Sequence, residues 1–113
     1  MFNCHCRDCQ QAGGGPYTPV VYFAAKDFKI TKGSPHYYNT KSGMGGHNKR
    51  GFCPQCGSRL FGGGSEEGQG VSASSLDDPT QFHPQCDIFT VDAQPWDQMD
   101  PKLPKFKRYQ RSL

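Results

Sequence analysis

Apolar positions in this chain come in short runs separated by Gly and Pro, and none repeats at helical spacing for long. Tyr17 to Phe23, rich in Val, Tyr and Thr, reads as a strand. After a turn at Ala24 to Asp27, Phe28-Lys29-Ile30-Thr31 alternates as a half-buried strand does. Lys32-Gly33-Ser34-Pro35 marks a second turn, and a third strand is expected over His36 to Asn39. Thr40 to Asn48 is a polar hairpin or loop, followed by strands at Lys49 to Phe52 and Ser58 to Phe61. Gly62 to Gly70 has the composition of a mobile loop. Val71 to Ser74 and Asp87 to Val91 are further strands, with a helical turn at Asp78 to Phe82 and another at Gln10 to Ala12. From Gln94 onward an extended tail is expected, pinned to the body by Trp96. The pattern as a whole predicts an all-β domain.

At 113 residues the chain is the size of one domain. Only 34% of it is hydrophobic, with 14 Gly and 9 Pro, so a bound metal is a plausible part of the folding free energy. The net charge of +3 is concentrated at the end: Lys102, Lys105, Lys107, Arg108 and Arg111 face no acid there. Without those five, the body carries eight basic residues against ten acidic. The division expected is a domain over residues 1–106 and a basic tail over 107–113, solvated rather than bound to nucleic acid. No apolar run is long enough to span a bilayer, and no signal-peptide pattern follows Met1, which predicts a cytoplasmic protein.

In a reducing compartment, clustered cysteines point to metal rather than disulfides. Five of the six fall in two clusters, Cys4-His5-Cys6-Arg7-Asp8-Cys9 and Cys53-Pro54-Gln55-Cys56-Gly57. Both spacings suit thiolate ligation of Zn²⁺. The second has the form of a zinc knuckle. The first offers three thiolates, the number a zinc site uses when its fourth position is kept for water or substrate. A single four-cysteine site from Cys4, Cys6, Cys53 and Cys56, with Cys9 outside, uses the same residues and stays open on spacing alone.

With Asn3 to Gln10 and Arg50 to Ser58 in view, the chain resembles the glutathione-dependent formaldehyde-activating enzyme family, also called the centromere protein V/Gfa domain. The similarity continues through Ser75 to Pro79, Phe82-His83-Pro84, Gln94-Pro95-Trp96 and Leu103 to Phe106. The resemblance implies an Mss4-like (β-tent) fold of coiled antiparallel sheets, and a three-cysteine catalytic zinc at Cys4, Cys6 and Cys9. It also implies that Cys53 and Cys56 are half of a structural zinc whose other half, a Cys-x-Cys, stands upstream in the family. Here only three residues precede Cys4. The second site is then expected to stay metal-free, or to be completed by Cys86, a histidine or a partner chain. A sheet edge left open would favour a homodimer.

The activity implied is that of a carbon–sulfur lyase acting on a glutathione–aldehyde adduct, S-hydroxymethylglutathione. The competing expectation is a non-catalytic, zinc-stabilised module that binds a protein or nucleic acid. Arg7, Lys49 and Arg50 are the nearest cations for a carboxylate-bearing substrate, and each reads first as a surface charge. His5 lies between two ligands, so its side chain should point away from them. His36, His47 and His83 read as loop-borne surface residues, Asp77 and Asp78 as a helix-start cap, and Cys86 as a small buried side chain.

Overall fold

The computed structural model describes residues 1–42 and 45–109. Gly43 and Met44, in the expected 40–48 loop, and residues 110–113 of the basic tail lie outside the described residues. Seven strands form one sheet: β1 (Phe2–Cys4), β2 (Thr18–Ala24), β3 (His36–Lys41), β4 (His47–Phe52), β5 (Arg59–Gly62), β6 (Gly68–Ser72) and β7 (Asp87–Ile88). Their order is β3-β4-β5-β6-β2-β1-β7. Neighbours are antiparallel except β1 and β7, which run parallel with Asn3 opposite Asp87. One helix, α1 (Arg7–Gly13), follows β1 directly.

The expected all-β fold is therefore present, as one seven-stranded sheet, with several boundaries moved. Phe28 to Thr31 forms no strand: nothing pairs with it, and Ile30 is exposed. The glycine-rich stretch turns into β6 already at Gly68, because Gly68 and Gly70 fit where a side chain would strike the neighbouring backbone. A Cβ on Gly70 would run into the Gly62 carbonyl across the β5–β6 pair. The chain leaves β6 at Ser72 in a short 3₁₀ turn, Ala73–Ser75. Past Ile88, Phe89 takes a left-handed conformation (φ 54°), which ends β7 and opens a 3₁₀ turn at Thr90–Asp92. As expected, Asp78 caps a 3₁₀ turn, accepting from the Thr80 amide at 3.1 Å.

The tail is held differently from expectation. Trp96 is 63% exposed and pins nothing. Its neighbours do the work: Gln94 Nε2 donates to Gln10 Oε1 at 3.0 Å, and Asp97 reaches His5. Beyond them the chain returns along β7, where the Asp87 and Phe106 amides donate to the Pro104 and Asp87 carbonyls, each at 2.9 Å. Among the described residues the main buried cluster is small: Cys4, Cys6, Cys9, Cys86, Ile88 and Phe89, with Phe2, Val20 and Phe106 against it, while Val21, Val71 and Ala73 are buried outside it. Three of the cysteines proposed as ligands thus make up half of that cluster.

Candidate metal centre

β1 delivers Cys4 to the core, and α1 delivers the other two sulfurs. Cys6 is the N-cap of α1, its Sγ accepting from the Cys9 amide at 3.2 Å. A sulfur in that place satisfies one of the orphan amides of the helix start, and an amide donor suits a thiolate. Gly14 closes the helix in the left-handed conformation (φ 74°), its amide donating to the Gln10 carbonyl. The result brings the Cys4, Cys6 and Cys9 sulfurs within 4.8 Å of one another, all three buried. Zinc–sulfur bonds of about 2.3 Å in a tetrahedron separate sulfurs by roughly 3.8 Å, so the trio fits a zinc ion without rearranging the backbone. No disulfide links the described cysteines.

The three sulfurs line a cavity of about 130 Å³ whose walls include Phe2, Val20, Phe89 and Tyr109. On another side stands Arg50, its Nη2 3.6 Å from Cys9 Sγ. Arg50 corrects the sequence reading: it is 4% exposed, not a surface charge, and forms an ion pair with Asp8 at 2.6 Å. Arg7 and Lys49 are exposed, as expected. Hydrogen bonds from the Cys4 and Cys6 thiols, then the Arg50 charge, pull Cys9 down to about 2, while hydrogen bonding to Cys6 and Cys9 and burial push Cys4 far above its ordinary value. The Arg50 charge thus favours the thiolate form of Cys9, the sulfur it contacts.

Asp8 anchors this side of the site. Its Oδ2 accepts from Thr40 Oγ1 (2.7 Å), Asn48 Nδ2 (2.8 Å) and Arg50 Nη2. Burial works to raise the Asp8 pKa, but bonds from Asn48, Arg50 and Thr40 outweigh it and hold the carboxyl below its usual range. A carboxyl depressed in the folded state adds stability above its unfolded pKa of about 3.9, which disappears as pH falls through the folded value. Acid unfolding of the wild type should therefore steepen below about pH 4, and Asp8→Asn should flatten that limb. Denaturation midpoints measured from pH 6 to 2 on both proteins check this.

His5 points away from the sulfurs, as its place between two ligands predicts. It is fully buried, with Nε2 2.8 Å from Asp87 Oδ1 and Nδ1 2.5 Å from Asp97 Oδ2. Asp87 also takes Lys105 Nζ at 2.9 Å and Asn3 Nδ2 at 3.3 Å. This network ties β1, β7 and the tail together behind the cysteines. Among the partners only His5 stood out in the sequence. Arg50 was noted only as a nearby cation, and Asp8, Asp87 and Asp97 carry no local signal beyond Asp8's place in the first turn of a helix.

Cys53 and Cys56 sit apart, in the β4–β5 turn. The Gly57 amide donates to the Cys53 carbonyl at 2.8 Å, and Gly57 takes φ 77°, the knuckle form read from the sequence. Cys56 is exposed and Cys53 half-buried, and among the described residues no third Cys, His, Asp or Glu joins them. Cys86 is packed in the core with Cys4 rather than beside the knuckle. Cys9, not the knuckle, completes the group of Cys4 and Cys6, against the single four-cysteine arrangement. His36, His47 and His83 are exposed, His36 opening the expected third strand as β3 and His47 on β4 rather than in a loop.

Fold and centre together define a small all-β domain whose main buried cluster contains three cysteines able to hold a metal ion. The family model for the glutathione-dependent formaldehyde-activating enzyme matches residues 1–92, and the chain belongs to that family. Comparison with individual curated proteins returned no match. Among the described residues no helix is long and apolar enough to cross a membrane.

Proposed function

We propose that this chain is a zinc-dependent carbon–sulfur lyase-type enzyme that makes and breaks a glutathione–aldehyde adduct of the S-hydroxymethylglutathione kind. The observation that carries this reading is the trio itself: three buried cysteine sulfurs face a cavity, and the nearby histidine is turned away and fully engaged elsewhere. Cys4, Cys6 and Cys9 would hold the zinc, leaving the fourth position toward the cavity. Zinc held there would supply Lewis acidity and favour the thiolate form of a substrate thiol, and three anionic ligands would suit it to soft sulfur chemistry.

The chain's own residues do the rest. In the forward direction the thiol sulfur bonds to the aldehyde carbon, the carbonyl π pair moves to oxygen, and the proton lost from the thiol ends on that oxygen. The reverse step breaks the same carbon–sulfur bond, so nothing is oxidised or reduced. Arg50 steadies negative charge on Cys9, and Asp8 keeps Arg50 aimed there. Phe2, Val20 and Phe89 give the cavity apolar walls that strengthen electrostatic interactions inside it. Tyr109, stacked edge-on against Phe89 at 4.9 Å, places a phenol on the same cavity. Its pKa is raised by burial and by the cysteine charges, so it stays protonated and can donate to the adduct oxygen.

Exchange spectroscopy with ¹³C-formaldehyde and glutathione at equilibrium tests the reading. The zinc-loaded protein should raise the adduct exchange rate well above the uncatalysed rate. Exchange equal to the protein-free control would favour the non-catalytic binding module. We further propose that the exposed edge strand β3 supports a homodimer; sedimentation as a monomer at working concentration would contradict that.

A further inference from the structure

Most charges inside this small protein come in pairs. Arg50 meets Asp8, Lys105 meets Asp87, and His5 lies between two carboxylates. Two half-buried charged side chains stand outside these pairs among the described residues, Asp92 and, on β5, the cation Arg59. No carboxylate among the described residues lies within ion-pair distance of Arg59. Its Nη1 donates to Thr18 Oγ1 at 3.0 Å, and Arg59 lines a cleft of about 560 Å³. Burial, then the Arg50 charge, lower its pKa, outweighing the favourable charges of Cys9, Tyr38 and Asp8. A guanidinium held partly out of water without a counter-ion is costly, and an anion in the cleft would remove that cost.

The cleft is built to accept one. Ser74, exposed at its wall, keeps a hydroxyl with no partner among the described residues. Gly13, at the end of the helix, lies beside the guanidinium, where a Cβ would come within 2.8 Å of Arg59 Nη1. The cleft also opens on the same face of the sheet as the cysteine cavity. On β2, Thr18 lines the cleft while Val20 and Tyr22 line the cavity, and residues two apart share a face. On β6, Ser72 and Gly70 divide in the same way. Along β2 the lining residues Thr18 and Val20 are about 7 Å apart, within the roughly 10 Å reach of a tripeptide. Thr18 joins them, accepting from Arg59 and donating to the Cys9 carbonyl at 3.2 Å.

We propose that the Arg59 cleft is the subsite for a carboxylate of the thiol substrate, with Arg59 supplying the charge and Ser74 a hydroxyl donor. This rests on the reading of the substrate as a glutathione-type thiol, but its test needs no turnover. S-methylglutathione, a thioether that forms no aldehyde adduct, is titrated calorimetrically into the zinc-loaded protein, alongside its dimethyl ester, which lacks both carboxylates. For wild type the acid should bind at least about tenfold more tightly than the ester, the scale of one charge-assisted hydrogen-bond pair. Arg59→Gln should remove that difference by weakening the acid alone, with zinc content unchanged. Equal affinity of acid and ester for the wild type would overturn the assignment without any variant. So would an unchanged acid affinity in Arg59→Gln, or displacement of the acid by an equal concentration of inorganic phosphate. Adduct exchange without this binding pattern refutes the subsite alone; this pattern without exchange leaves the subsite and refutes the activity.

Discussion

Cys9→Ser should abolish turnover while leaving the protein folded. Of the three sulfurs, Cys9 is the one that Arg50 contacts and whose negative charge it favours. Serine replaces a soft, readily ionised ligand with a hydroxyl that stays protonated near neutral pH, so the site loses its third strong ligand. Changes one shell further out already cost metal sites about 10–100-fold, so loss of a ligand should cost at least the upper end of that range in adduct exchange rate. The fold should survive because serine is nearly the same size and its oxygen can take the hydrogen bond Arg50 now gives the sulfur. Exchange spectroscopy and circular dichroism on the variant check the two halves. Undiminished turnover in Cys9→Ser would mean the catalytic centre is elsewhere.

His5→Ala should produce the largest loss of stability from a single side chain. The ring is fully buried between Asp87 and Asp97, whose side chains are each 1% exposed. Asp87 would keep Lys105 and Asn3. Asp97 would keep nothing: its Oδ1 already has no hydrogen-bond partner, and Oδ2 would lose the ring. Removing one partner from a buried pair costs about 3–5 kcal/mol, against a total stability of about 5–15 kcal/mol for a domain. At about 4–8 °C per kcal/mol for a small domain, the melting temperature should fall by more than about 10 °C. Thermal denaturation at matched zinc content measures it. A shift of under about 3 °C would show that the network is not what ties the tail to β1 and β7.

What the sequence made legible follows how local each signal is. The C-x-C-x-x-C segment gathers its own sulfurs because a short strand and the first turn of a helix suffice to bring them together. Its spacing therefore announced the cluster, and the His5 orientation came with it. The knuckle at Cys53 was equally local. Arg50 was misjudged because its partner Asp8 lies 42 positions away on α1, and only the tertiary fold brings that helix against β4. Asp87 and Asp97 were invisible for the same reason. Phe28 to Thr31 had the alternation of a strand but lacked a neighbour to pair with, and alternation cannot supply one. Trp96 was expected to be buried on size alone, whereas the tail is fastened by the small polar groups beside it, Gln94 and Asp97. The cysteines also explain how a chain with so few apolar residues closes a core. Its centre is built from thiols, which pack as small apolar groups and hold a metal with the same atoms.

The central claim is that Cys4, Cys6 and Cys9 hold one zinc with a fourth position left for substrate. The most direct test is zinc K-edge absorption, with metal content, on the Cys53→Ser/Cys56→Ser double variant, which removes the knuckle as a source of sulfur. The account predicts one zinc per chain with three sulfur neighbours and one lighter atom. Four sulfur neighbours, or a protein that folds and purifies without zinc, would contradict it.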